Sequence, residues 1–289
     1  MANYLDPKND FTFKRVFGQH KHLCISLMNS MLAFENPIVS IEYDTGELIP
    51  ELANVLRNTI VDVRCTDSEG RQFLVEMQMY WSESFKSRVL LNAAKAYVMQ
   101  LDKAKDFSLL KPVYALNFVN ETFEKDLEMR NEYFHHYKIV NVQDTEKQIK
   151  GLEFIFLELP KFKPQNRAEK KLHELWLRFL TDINEETIEV SKELLENELI
   201  SEAIGYMKRA AYSKEELEVY DKWKIDVMTE RSAINDAKAE GLAEGKAEGL
   251  AEGKAEEKLE IAKKLKSRGM TFDEIMELTG LTKAEIEKL

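Results

Sequence analysis

Residues 59 to 66 and 73 to 80 alternate apolar and polar side chains with a period of two, the spacing of half-buried strands. In the first run Thr59, Val61, Val63 and Cys65 alternate with Ile60, Asp62, Arg64 and Thr66. In the second, Phe73, Val75, Met77 and Met79 alternate with Leu74, Glu76, Gln78 and Tyr80. Asp67-Ser68-Glu69-Gly70-Arg71 between them is rich in turn formers, so the two runs read as an antiparallel hairpin. Taking these residues as the loop pairs Thr66 with Gln72 and therefore Asp62 with Glu76; a one-residue slip would move every side chain of a strand to the other face. Val61, Val63, Val75 and Met77 then share one face, and Asp62, Glu76 and Gln78 converge on the other.

Around the hairpin the periodicity switches between helix and strand. Phe13, Val16, Phe17, Ile25, Leu27 and Met28 recur at helical spacing and predict one helix from about Asp10 to Leu32, punctuated by Lys14 and Arg15. Asp10 reads best as its N-cap, with a part in a metal site as the other option. Pro37 to Ile41 lead into a first strand, and Val89, Leu90, Ala93, Ala96, Tyr97 and Leu101 predict an amphipathic helix over Phe85 to Asp106. Lys111 to Asn120 is almost continuously apolar, as a central strand covered on both faces requires. Tyr133 to Val142 and Leu152 to Leu159 supply two more strands. After Pro160 and Pro164 the pattern is helical: Leu172, Leu175, Trp176, Phe179 and Leu180 form a stripe, and further helices are expected over Thr187 to Ala211 and Lys214 to Ala239.

From Ala239 to Glu256 the chain repeats Ala-Glu-Gly, with Gly241, Gly245, Gly249 and Gly253 spaced every four residues. Each Gly costs a helix about 1 kcal/mol against Ala. The segment therefore reads as a semi-flexible charged helical linker, with close packing of two backbones in a dimer as the alternative. Leu259 to Arg268 and Thr271 to Leu289 read as three short helices, with capping boxes at Thr271/Glu274 and Thr282/Glu285 and a stop at Gly280. The tail is helix-turn-helix-like, but Glu285 and Glu287 oppose phosphate, which favours a protein-contact or capping role over DNA reading.

At 289 residues and 44% hydrophobic content, the chain can bury a full core and carry a second module. A run of about eighteen apolar residues, which a membrane span needs, is absent, as is an apolar leader. A cytoplasmic protein without membrane attachment is expected. Cys24 and Cys65 sit in apolar contexts and read as reduced structural thiols. His20, His22, His135, His136 and His173 lack metal-ligand spacing and read as structural or solvated. The net charge of -11 is carried mostly by the C-terminal part, since residues 1–164 contribute -3 and the remainder -8. Contact with a polyanion would thus rest on a local basic patch, for which Lys14, Arg15, Lys86, Arg88 and Lys95 are the candidates.

The chemistry converges on the hairpin. Carboxylates at opposed strand positions repel unless a proton or a cation lies between them. A hard divalent ion fits: Mg²⁺ takes oxygen ligands, is held by one or two carboxylates, and completes its shell with water and substrate phosphate. Phosphodiester hydrolysis matches that inventory. Gln78, on the same face as Glu76, could orient water or donate to phosphate, but as a neutral amide it is neither acid nor base. The plainer reading of this face is a solvated hairpin surface, where such residues are also expected.

Asp10-Phe-Thr-Phe-Lys-Arg-Val-Phe17, Asp62 within an apolar strand, Glu76-Met77-Gln78, and a following helix with Arg88 and Tyr97 together resemble the PD-(D/E)XK nuclease family transposases, over roughly residues 1 to 235. The resemblance implies a restriction-endonuclease-like α/β fold: an αβββαβ core with a mixed sheet, followed by a helical subdomain and a helical tail. The expected boundaries are 1–165 for the nuclease-like core, 166–238 for the helical subdomain, 239–258 for the repeat and 259–289 for the tail. It implies metal roles for Asp62 and Glu76, with the Met77 backbone carbonyl beside them, and Mg²⁺ or alternatively Mn²⁺ as cofactor. Lys14, Arg88 and Tyr97 are the implied substrate-binding residues. Arg88 and Tyr97 stand about half a turn apart on a helix, so Arg88 is favoured for phosphate and Tyr97 for packing. Gln78 departs from the lysine many members of the superfamily carry, exchanging a full charge for an amide dipole. The implied function is a metal-dependent DNA endonuclease linked to recombination or mobile elements, acting on DNA as a homo-oligomer, most simply a dimer. The alternative is a catalytically idle DNA-binding or scaffold protein that dimerises through its tail.

Overall fold

The computed structural model describes residues 3–44, 62–102, 106–164 and 171–289. They divide into two compact units, Met1–Val227 and Met228–Leu289, the division falling within the stretch assigned to the helical subdomain. The start of the first predicted hairpin strand, Thr59 to Val61, lies outside the described residues.

The first unit is built on a six-stranded mixed sheet of β1 (Ile41–Tyr43), β2 (Val63–Asp67), β3 (Gln72–Gln78), β4 (Val113–Val119), β5 (Phe134–Asn141) and β6 (Asp144–Glu158). Strand order is β1-β2-β3-β4-β6-β5. β1, β2 and β3 are antiparallel neighbours, β3, β4 and β6 run parallel, and β5 returns antiparallel on β6. The expected register is the one observed: Thr66 pairs with Gln72 and Val63 with Val75. The loop is tighter than five residues. Asp67 N–H donates to the Arg71 carbonyl and Gly70 N–H to the Asp67 carbonyl, leaving Ser68-Glu69-Gly70 at the tip with Gly70 at φ +80°. Gly reaches that left-handed conformation without a Cβ clash, as a three-residue hairpin requires. Three and five loop residues have the same parity, which is why the register is unchanged.

Helices cover both faces of the sheet. On one, α1 (Asp10–Phe17), α2 (Lys21–Met31), α4 (Lys171–Asp182) and α6 (Glu198–Met207) bury Phe13, Phe17, Leu27, Trp176 and Ile204 against Cys65, Phe73, Val75, Leu116 and Ile155. On the other, α3 (Glu83–Val98) buries Phe85, Val89, Ala93 and Ala96 against Leu74, Val113, Ala115 and Phe156. β4 is buried at every position, as its unbroken apolar run requires. The single helix expected over Asp10 to Leu32 is two helices. Gly18 closes α1 by donating to the Lys14 carbonyl, and a Cβ there would lie 2.6 Å from that same oxygen, so the chain turns at the one residue that fits. α3 ends at Val98, short of the expected Asp106. The short helix α5 (Lys192–Glu196) precedes α6, so Thr187 to Ala211 is likewise broken.

Three of the histidines pair with carboxylates, and both cysteines are buried. His135 pairs with buried Glu158 at 2.7 Å, His136 with Glu153 at 2.7 Å and His22 with Glu202 at 2.9 Å, and Cys24 and Cys65 are buried free thiols.

In the second unit, the repeat is helical, within α7 (Lys214–Ser267), and a small core of Ala262, Ile275 and Ile286 joins the end of α7 to α8 (Phe272–Thr279) and α9 (Lys283–Glu287). Both capping boxes form, and Gly280 ends α8 at φ +70°. A Cβ on Gly241, Gly245, Gly249 or Gly253 would meet nothing within 4 Å. Replacing all four with Ala in the full chain is expected to raise helicity and thermal stability in circular dichroism, at about 1 kcal/mol per site. A fall would show instead that the glycine face packs against another chain. Among the described residues no helix is long and apolar enough to cross a membrane.

Candidate functional site

β3 carries its polar residues to its C-terminal end, where it runs beside parallel β4, and α3 starts a few residues later. The carboxyl ends of parallel strands are where open α/β sheets place their sites. Leu74 shares a face with Glu76 and Gln78 and packs under α3, so this is no solvated hairpin surface. Glu76 is only 7% exposed.

Asp62 immediately precedes β2. Its Oδ2 accepts the Met77 backbone N–H at 2.6 Å, which fastens the start of β2 to the end of β3 beyond the last ladder pair. The N–H and C=O of one strand residue emerge on the same edge, so the Met77 carbonyl also lies on the Asp62 side. α1 adds two charges: Lys14 Nζ lies 2.6 Å from Asp10 Oδ1 and 3.5 Å from Asp62 Oδ1. The Lys14–Asp10 approach is a charge pairing without the directionality of a hydrogen bond, and it leaves Asp10 Oδ1 without a directed donor. From α3, Arg88 Nη2 donates to Glu76 Oε1 at 2.9 Å and to Gln78 Oε1 at 2.6 Å, while its guanidinium lies over the Phe85 ring.

Three carboxyl groups thus face two organic cations. Burial, and then the adjoining Asp10 carboxyl, hold the Asp62 pKa well above the ordinary Asp range, although Lys14 and the Met77 N–H oppose them. Burial also raises Glu76, against the opposing pull of Arg88 and Lys14. Asp10 is lowered: burial pushes it up, but its contacts with Asp62 and Lys14 outweigh that. Lys14 is raised, because the two aspartates more than offset the burial that disfavours its charge. The raised values of Asp62 and Glu76 come first from burial, which disfavours their charged forms more than the neighbouring cations restore them. The donors are all oxygen, the set a hard divalent ion takes, so Asp62, Glu76 and the Met77 carbonyl fit such an ion. Among the described residues no three His, Cys, Asp or Glu side chains form a group that could hold a metal ion, so the protein side chains of such a site would be the two carboxylates alone.

The structure brings together Lys14, Asp62, Glu76, Gln78 and Arg88, and leaves Tyr97 out. The Tyr97 ring packs beside Gly151 of β6, in the cluster under α3. Gln78 turns Oε1 to Arg88, while one N–H of its Nε2 donates to the Tyr80 carbonyl at 2.7 Å. Reversing the amide would set donor against donor at Arg88, so the network fixes its orientation. Asp10 is not the helix cap. Asn9 is, accepting the Phe11 N–H at 2.8 Å, and this frees Asp10 for the site. Two sequence signals mark this: Asn9 is an equally good cap, and Asp10 and Lys14 stand four residues apart on one helix face. Of the other basic candidates, Arg15 pairs with Glu216 at 2.7 Å and Lys86 lies over Trp81 and Phe123. Lys95 shares the Arg88 side of α3 with Asn92, by the i, i+4, i+7 rule; Lys95 Nζ and Asn92 Oδ1 are shielded from water and have no hydrogen-bond partner among the described residues.

Comparison with known proteins finds a family model described as PD-(D/E)XK nuclease family transposase, matching residues 7–237. No curated protein and no solved structure matches the chain.

Proposed function

The chain belongs to the PD-(D/E)XK nuclease family transposases, and from that premise we propose that it is a divalent-metal-dependent DNA endonuclease serving recombination or mobile elements. The observation that supports the proposal is the bond from the Met77 N–H to Asp62 beside Glu76, which sets two largely buried carboxylates at the carboxyl end of β3. Asp62 and Glu76 would hold Mg²⁺ or Mn²⁺ together with the Met77 carbonyl. Such an ion supplies an activated water and neutralises charge on the scissile phosphate.

The chain's own residues do the rest. The Met77 N–H holds the Asp62 carboxylate in place, so the ligand arrives pre-oriented on rigid strands. Lys14 and Asp10 tune that carboxylate in opposite senses: Lys14 favours its ionised form, and Asp10 opposes it. Lys14 also stands ready to pair with a phosphate oxygen, and Arg88 on α3 lines the path of the strand. DNA is the partner this chemistry requires, and a homodimer would let two such sites act on both strands of a duplex.

Nicking of supercoiled plasmid in Mg²⁺ or Mn²⁺, abolished by EDTA and restored by excess metal, is the expected result. Gel-shift binding of the same DNA without nicking in either metal would instead support the idle DNA-binding or scaffold reading.

A further inference from the structure

Gln78 stands where a lysine would carry positive charge to the scissile phosphate, and its amide cannot do so. The structure supplies a charge from another element. Arg88 Nη2 bonds Gln78 Oε1 at 2.6 Å and Glu76 Oε1 at 2.9 Å, so one guanidinium nitrogen is held between the amide and a metal-binding carboxylate. The amide is oriented for this purpose, since Nε2 is tied to the Tyr80 carbonyl and Oε1 is left as a pure acceptor. A lysine at position 78 would instead set an ammonium against the guanidinium. Gln78 and Arg88 therefore form a matched pair.

We propose that Arg88 supplies the positive charge the site lacks at position 78, resting on Glu76 when no metal is present, and that Gln78 is the positioning residue that keeps its guanidinium at the reacting phosphate. This rests on the nuclease reading and deepens it. Were Glu76 to hold a divalent ion it would give up its bond to Arg88, whereas Gln78 would keep its own and leave the other guanidinium N–H groups for a phosphate oxygen. A planar guanidinium can hold the amide and a phosphate together; a lysine ammonium on the same stem presents only a point charge. Because Arg88 bonds Glu76, a divalent ion at that carboxylate would have to displace it.

The test compares wild type with Arg88→Met, Gln78→Leu and the double variant Arg88→Met/Gln78→Lys, by calorimetric Mn²⁺ titration and by plasmid nicking at saturating Mn²⁺. Arg88→Met is expected to bind Mn²⁺ a few-fold more tightly, having lost the competitor on Glu76, and to nick at least about tenfold more slowly. Adding Gln78→Lys should recover most of that loss. Gln78→Leu, which keeps the Arg88–Glu76 ion pair, should lower nicking while leaving Mn²⁺ affinity within about twofold. Arg88→Met that nicks like wild type, or that loses Mn²⁺ affinity together with nicking, overturns the proposal. Unchanged nicking in Gln78→Leu overturns the positioning role even if Arg88→Met fails to fold. A wild-type protein that neither binds Mn²⁺ nor nicks DNA overturns the nuclease reading, and this inference with it.

Discussion

Asp62→Asn is expected to abolish metal-dependent nicking while making the metal-free protein more stable at neutral pH. The two effects share one cause. An Asn amide is a poor ligand for a hard cation, and losing several kcal/mol of metal-derived stabilisation slows cleavage on the order of a thousandfold or more. Without metal, the ionised Asp62 is a liability, because it is buried beside Asp10 and its pKa is raised. Asn is isosteric with the protonated acid: its Oδ1 can still accept the Met77 N–H, and its Nδ2 can donate to Asp10. The sign of the pH dependence follows. A carboxyl whose folded pKa lies above its unfolded value binds its proton more tightly in the folded state. It destabilises the fold above the folded pKa, and the penalty fades as pH falls toward the ordinary Asp range. The stability advantage of Asp62→Asn should be present near pH 7 and vanish as the pH falls into the ordinary Asp range. Denaturant titrations at a series of pH values in EDTA measure it, and an Asn variant less stable than wild type at neutral pH would refute the electrostatic account. The same raised pKa values predict that apparent Mn²⁺ affinity climbs with pH through a window above the ordinary carboxylate range, since Asp62 and Glu76 must shed protons to bind.

Glu158→Leu is expected to be the most destabilising exchange outside the apolar core. The Glu158 side chain is fully buried, yet every acceptor position on it is used. Oε1 meets His135 Nε2 at 2.7 Å and Lys161 Nζ at 2.8 Å, and Oε2 accepts the backbone N–H groups of Phe123 at 2.8 Å and Glu124 at 3.3 Å. One carboxylate thus ties the end of β6 to β5, to the loop after β4 and to the turn that follows β6. A leucine would leave the Lys161 ammonium and two backbone donors buried around an apolar group, a loss of about 3–5 kcal/mol against a typical total of about 5–15 kcal/mol. Glu158→Gln, which keeps an acceptor of the same shape but no charge, should lose about half as much. Urea titration separates the two, and equal losses would show that charge and not shape is at stake.

The hairpin shows how far local pattern reaches. Alternation in Phe73 to Gln78 and the turn chemistry of Asp67 to Arg71 set the register, because parity survives an error in loop length. The unbroken apolar run of β4 and the stripe of α3 were equally legible, being properties of segments a few residues long. The break after α1 was not, because Phe13 to Met28 keeps helical spacing across Gly18 and only the close approach to the Lys14 carbonyl makes the turn necessary. Asp10 was misread as a cap for a related reason: a cap is a local property and Asn9 meets it, whereas the Asp10 carboxyl finds Asp62, fifty-two positions away, only after folding.

The sequence alone established the strand pair and its register, which follow from side-chain period and turn chemistry, and its motifs carried the likeness to a nuclease family. The tertiary structure decided what those residues experience. α3 covers the face that could have been solvated, α1 delivers Asp10 and Lys14 from far along the chain, and Arg88 and Gln78 become partners. The physical reason is range: periodicity and turn preference act over a few residues, whereas burial, charge pairing and pKa depend on elements that chain connectivity does not bring together until the sheet and its helices have packed.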